Sequence, residues 1–319
     1  MWHWSIVIWL LIVLMLSFFF TMIVDIVFRF LGKRGYLGNL FPNVRGGIPR
    51  AVGIVPFVLL SFWLPPIFNN LVLIIGIFAL IDDIVGRKKI LNLNIEWGQF
   101  SRGIGILLVM IAGFYSDIGL SSILIALMVQ PVNISDMQPG STCMVTMIMS
   151  VIVIILMLIV GTLPIADLPA VYTPFLILVI VLGYCPLDFA GKIMLGEVGN
   201  HSFAVALGIA FYMIGGFFWT LALFIVTTFL TAFIRRSTLK AFFIKKLKIS
   251  NPTFGDYFMD VLTGGGLGDL VRRLVLKNKQ YEVTKDVFII LGFRRLLYNP
   301  YAPNNKQYSS NQKSFKSKL

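Results

Sequence analysis

Long apolar runs, broken only by short polar stretches, limit what this chain can fold into more than any other feature. Nine runs stand out, at 4–28, 51–64, 67–81, 98–115, 118–134, 141–160, 168–185, 201–214 and 217–234. An α-helix needs about 20 apolar residues to cross a hydrocarbon core of about 30 Å, and in lipid it satisfies its own backbone polar groups. Several runs are shorter than that, so flanking polar residues are expected to complete them. Of the 319 residues 58% are hydrophobic and 13% charged, more apolar surface than a water-soluble domain of this size can hide. The pattern predicts an all-α polytopic transmembrane bundle of about nine or ten spans. It excludes a soluble enzyme, a disordered chain and a disulfide scaffold. Cys143 and Cys185 lie within apolar runs and read as small buried hydrophobes.

A net charge of +13 would point to nucleic acid in a soluble protein, but its distribution here leads elsewhere and no nucleic-acid partner is expected. All 27 Lys and Arg fall within 29–50, 87–102, Lys192 and 235–319, after the first, third, seventh and ninth runs. The positive-inside rule then makes the odd connections cytoplasmic, the N-terminus external and the basic C-terminal region internal. The first run opens with Met1-Trp2-His3-Trp4, has no basic leader and is too long for a signal core, so it is kept as a span. Trp2, Trp4 and Trp9 read as interfacial anchors or as lipid-facing bulk. No fixed-period repeat is apparent, which argues against an inverted-repeat transporter.

The division expected is a transmembrane domain over 1–234, a basic cytoplasmic region over 235–303 and a disordered polar tail over 304–319. Residues 235–319 carry 17 of the 27 basic side chains. Asp286 to Tyr298 within them reads as a surface helix or a short tenth span, the surface helix being favoured.

Four polar constellations interrupt the apolar pattern. Asp82-Asp83 closes the third run, where two adjacent carboxylates repel each other and oppose the helix dipole. A divalent cation would relieve both, or the pair simply ends a helix in solvent; removing one charge is expected to leave stability unchanged or higher. Asn133 and Asp136, three residues apart before Pro139-Gly140, share a helical face as two oxygen ligands would, or form an Asn/Asp turn. In Lys192 to His201, Gly196 and Gly199 flank Glu197 and allow close backbone approach to a phosphate at a helix N-terminus. His201 there reads as a capping or packing residue rather than a catalyst. Arg45 and Arg50, in a glycine-containing loop, clamp a phosphate or anchor a helix end by the positive-inside rule. On the topology derived from Lys and Arg alone, all four constellations share the cytoplasmic face.

In NVRGGIPRAVGI, ALIDDIVG, NISDMQPG and GKIMLGEVGN, in this order over about residues 40 to 210, the chain resembles the polyprenyl-phosphate N-acetylhexosamine-1-phosphate transferases. It most resembles a shorter branch whose third motif ends in Pro-Gly. The resemblance implies a bundle of about ten helices around a cytoplasmic cleft in the cell membrane. It implies transfer of a sugar-1-phosphate from a UDP-sugar to a membrane polyprenyl phosphate, with Mg²⁺ and release of UMP, in cell-envelope glycan synthesis. A catalytically silent relative that binds lipid phosphate or scaffolds envelope-synthesis partners is the alternative, and a homodimer is an assembly it allows. By resemblance Asp82, Asp83 and Asp136 are catalytic, and Glu197 with Asp136 holds the metal. Asn133, Arg45, Arg50, Lys192, Gly196, Gly199 and Asn200 bind substrate. Glu197 stands where the family has a magnesium-binding Asp, and the histidine-rich loop of the peptidoglycan enzymes has no counterpart, because His3 and His201 are the only histidines. In that region Thr263 to Asp269 (TGGGLGD) reads as a flexible loop or a phosphate contact.

Overall fold

The computed structural model describes residues 2–44, 46–86, 88, 96–160, 168–247, 249, 251–277 and 279–299. Arg45 and the tail 304–319 lie outside the described residues, as do the side chains of Trp2, His3 and Trp4. Among the described residues all regular secondary structure is helical. In chain order the helices are α1 Trp2–Lys33, α2 Ile54–Trp63, α3 Phe68–Val85, α4 Trp97–Gly113, α5 Ser121–Leu127, α6 Val129–Ser135 and α7 Ser141–Val160. They continue with α8 Leu168–Phe189, α9 Gly196–Gly215, α10 Phe217–Phe242, α11 Phe254–Thr263, α12 Gly265–Leu276, α13 Asp286–Ile290 and α14 Phe293–Leu296.

Among the described residues seven helices are long and apolar enough to cross a membrane, the pattern of a membrane protein. The second and fifth apolar runs do not reach that length. Helix α2 has ten residues, about 15 Å at the helical rise. It ends because Leu64 is extended ahead of Pro65-Pro66. The fifth run divides at Met128 into α5 and α6, and Pro131 removes a backbone donor inside α6.

The chain forms two compact units, Met1–Thr227 and Thr228–Leu319. At the centre of the first lies α9, packed against α2, α3, α5, α6, α7 and α8. Its apolar window is 83% buried against 17% for α1, so α9 is the core of the bundle and α1 its rim. Small residues explain the crowding: Gly199, Ser202, Ala204, Ala206, Gly208 and Ala210 let neighbouring backbones approach. A Cβ on Gly208 would lie 2.8 Å from Ile125 Cα. On the rim, Ser17 Oγ donates to the Ile180 carbonyl at 2.7 Å, and α1 packs against α8. Trp9 stacks edge-on against Trp63 and lies beside Tyr172, so it serves helix packing.

The second unit begins inside α10. No Gly or Pro occurs between 217 and 251, so the last apolar helix runs on through 235–242 and ends in a π-turn at Phe243–Leu247. Thr253 then caps α11 in a reciprocal box with Asp256. The glycine-rich stretch read as a flexible loop is instead ordered: Gly264 is the N-cap of α12, and Gly265 to Asp269 lie in its first turns. Asp286 to Tyr298 is not one continuous helix. It breaks into α13 and α14 at Gly292, whose φ of +82° and contact with the Gly255 backbone only glycine tolerates.

Candidate functional site

The C-terminal end of α3, the N-terminal ends of α4 and α9, the segment 49–53 and the α6–α7 turn meet at one end of the first unit. Backbone pairing starts the arrangement. Met194 N donates to Pro49 O at 2.9 Å, Val52 N to Met194 O at 3.2 Å and Gly53 N to Leu195 O at 3.1 Å, lacing 49–53 to the residues that lead into α9. Asp83, fully buried at the end of α3, completes it. One carboxylate oxygen accepts from Glu197 N at 3.1 Å and pairs with Arg50 Nε at 3.0 Å; the other accepts from Val198 N at 3.0 Å. The unsatisfied donors that open α9 therefore already hold an anion, and it is Asp83.

Arg102, on α4, joins the remaining carboxylates. Its Nη2 lies 2.9 Å from Asp82 Oδ2 and 3.2 Å from Glu197 Oε2. With its amide oriented to satisfy both neighbours, Asn133 accepts from Arg102 Nη1 at 2.6 Å and donates to Glu197 Oε2 at 2.9 Å. His201 Nε2 stands 3.2 Å from the same Glu197 oxygen, one turn along α9, and Arg50 Nη2 is 3.8 Å from Glu197 Oε1. Helix α4 can pass over Asp82 because residue 98 is glycine, where a Cβ would sit 1.8 Å from Asp82 Oδ1.

Asp136 forms the second half of the cluster. It accepts from Asn200 Nδ2 at 2.7 Å, with Thr142 Oγ1 at 3.5 Å. Removal from water raises its carboxyl well above the ordinary range, and the neighbouring Asp188, Glu197 and Asp83 add to this, while the Asn200 bond opposes it. Asp188, on α8, accepts from Gly140 N and Cys143 Sγ, both at 3.1 Å, and so holds the α6–α7 turn in place.

The structure thus brings together Asp82, Asp83, Asn133, Asp136, Arg50, Glu197 and Asn200. Lys192 does not join them in any described contact: it is exposed, and its carbonyl accepts from Arg29. Gly196 and Gly199 each have a structural use. Gly196 has a φ of +71°, and a Cβ there would meet Ala51 Cα at 2.8 Å and Asp83 Oδ2 at 2.7 Å. A Cβ on Gly199 would meet Gly53 Cα at 2.8 Å. Sequence alone does not mark Arg102 or Asp188: Arg102 is a lone charge within the fourth apolar run, and Asp188 lies just beyond the seventh.

The same crowding makes Gly53→Ala a test of the lacing. Its Cβ would lie 2.3 Å from the Leu195 carbonyl oxygen and 2.6 Å from Gly199 Cα, backbone atoms that cannot rotate away. We expect a loss of about 1–3 kcal/mol, the usual cost of overpacking, read as a lower thermal-unfolding midpoint in detergent. An unchanged midpoint would show that 49–53 does not lie against α9.

The donor set suits a hard cation. Asp82, Asp83, Asp136 and Glu197 stand formally against Arg50 and Arg102, an excess of carboxylate, and the buried Asn200 Oδ1 has no hydrogen-bond partner. Among the described residues no three Asp, Glu, His or Cys side chains gather as a ligand shell. Mg²⁺ does not require one, since it usually takes one or two carboxylates and completes its shell with water and substrate phosphate. A described cavity of about 540 Å³ lies elsewhere, at the far end of α2 between α1 and α8, lined by Trp9, Trp63 and Tyr172. Compared with known proteins, the chain matches no protein-family model and no curated protein.

Proposed function

We propose that this protein transfers a sugar-1-phosphate from a UDP-sugar to a polyprenyl phosphate, releasing UMP, at the cytoplasmic face of the cell membrane. The observation that carries the reading is the network through Arg102, which ties Asp82, Asn133 and Glu197, from three separate segments, into one polar cluster at the end of an apolar bundle. Charged side chains in such a place are costly unless they serve a ligand or one another.

In the reaction an oxygen of the lipid phosphate bonds to the sugar-bearing phosphorus. The bridging P–O bond breaks, and its electron pair leaves with UMP. Both oxygens of Asp83 are engaged by Arg50 and the α9 backbone, so Asp83 positions the site. Asp82 meets Arg102 through one oxygen and is the carboxylate left to take up a proton from the lipid phosphate. Arg50 is 28% exposed in its side chain and presents a guanidinium to incoming phosphate. Asp136, Glu197 and the Asn200 amide oxygen would hold Mg²⁺, which would neutralise charge on the diphosphate.

A second reading, a silent relative that binds lipid phosphate, is favoured by the anion position at the start of α9 being filled by Asp83. Purified protein incubated with undecaprenyl phosphate, Mg²⁺ and a panel of UDP-sugars distinguishes the two. Mg²⁺-dependent UMP release supports the transferase. Retention of lipid phosphate without UMP release from any sugar supports the silent relative.

Glu197→Asp probes the metal assignment within the same assay. The shorter arm withdraws the carboxylate by about 1 Å from Arg102, Asn133 and His201, and misplacement on that scale can cost up to about a hundredfold in rate. We expect UMP release to fall at least tenfold and the Mg²⁺ midpoint to rise. Equal magnesium dependence in the two proteins would remove residue 197 from the metal site. Activity present only in Glu197→Asp would favour the silent relative.

A further inference from the structure

In the C-terminal unit, α12 and α14 bury arginines while several apolar side chains of α12 and α13 are exposed. On α12 one arginine turns inward: Arg272 is buried, donating to the Thr263 carbonyl at 2.9 Å and to Asp269, and Asp269 also pairs with Arg295. Arg294 and Arg295 of α14 are likewise buried, on Asp256 and Asp260 of α11. One apolar face of α12 and one beside it in sequence on α13 point out. Val271, Leu274 and Val275 are 57%, 68% and 71% exposed, and Val287 and Ile290 of α13 with its C-cap Leu291 are 66%, 64% and 51% exposed. Both triplets have the i, i+3, i+4 spacing of a single helical face. A helix bordered by water places its charges outward and this face inward.

Basic side chains flank these faces in sequence. Arg273, Lys277, Lys279 and Lys285 are exposed, against Glu282 and Asp286. Across 235–319 the chain carries 17 basic residues and 5 acidic ones. Within the unit only a short connection separates Leu247, at the end of an apolar helix long enough to cross a membrane, from Phe254 at the start of α11.

We propose that the outward faces of α12 and α13 form a lipid-docking surface, holding this unit in the interfacial layer of an anionic bilayer. The apolar triplets enter the acyl boundary and the flanking Lys and Arg reach the headgroups. This inference does not rest on the transferase reading.

The test uses the full chain reconstituted into vesicles of phosphatidylcholine with or without phosphatidylglycerol. Val275→Cys and Ile290→Cys, at exposed positions where folding is not at stake, carry an environment-sensitive fluorophore. The unsubstituted protein, whose Cys143 and Cys185 are buried, provides the labelling background. We expect lipids doxyl-labelled near the headgroup to quench emission roughly twofold or more, most strongly with phosphatidylglycerol, and aqueous iodide to have little effect. Quenching by iodide and not by doxyl lipid would overturn the proposal. So would protection from both quenchers with energy transfer between labelled molecules, which would assign the surface to a second copy of the chain.

Discussion

Arg102→Met is expected to lower UMP release by about a hundredfold or more, the scale of losing a preorganised charge in a site shielded from water. The guanidinium now meets Asp82, Glu197 and Asn133 together. Methionine fills much of the volume but leaves two carboxylates without their counter-charge and the Asn133 amide without its donor. Arg102→Lys keeps the charge and loses the fork, so a point charge cannot reach all three partners and only part of the activity should return. Turnover and thermal unfolding measured on the same preparations separate the roles. A purely structural Arg102 would lower the unfolding midpoint while the folded fraction kept its rate per molecule. Wild-type turnover in Arg102→Met would remove this residue from the mechanism.

Asp83→Ala is expected to cost about 3 kcal/mol of stability or more, whether or not the protein turns over substrate. The carboxylate is the acceptor for the Glu197 and Val198 N–H groups and the partner of Arg50. Its loss leaves two buried donors and a guanidinium unmet and releases the start of α9 from α3. This reverses what adjacent carboxylates suggest in isolation, namely that removing one charge relieves repulsion. Asp82 and Asp83 point to different partners, so the repulsion is not the dominant interaction at either. Asp83→Asn should also destabilise, because it sets an NH2 group among donors. Asp82→Asn should be milder in stability and severe in turnover. Thermal unfolding in detergent checks the order; equal midpoints for the Asp82 and Asp83 variants would defeat the division of roles.

Much of the fold was legible because hydropathy is a sum over neighbours in sequence. The nine apolar runs all reappear as helices, although α2 and the α5–α6 pair are too short to cross alone. The structure differs where helix continuity depended on local chemistry: 235–247 prolongs α10 for want of a breaker, and Gly292 divides what looked like one helix. The polar site was legible in part. Asp82, Asp83, Asn133, Asp136 and Glu197 stood out as polar residues at the ends of apolar runs, whereas Arg102 read only as one more positive charge near a span end. In sequence an arginine that anchors a helix at the interface and one that bridges buried carboxylates look alike.

The sequence by itself determined that this is an apolar helical bundle with a few charged residues gathered at helix ends and a basic C-terminal region, since burial in lipid depends on the composition of each segment. The tertiary structure alone decided what each charge does. Asp83 and Glu197 lie 114 residues apart, yet the backbone of one answers the carboxylate of the other. A hydrogen bond depends on distances of a few tenths of an ångström, and those are set only when the small residues of α9 let α2, α3 and α6 close around it.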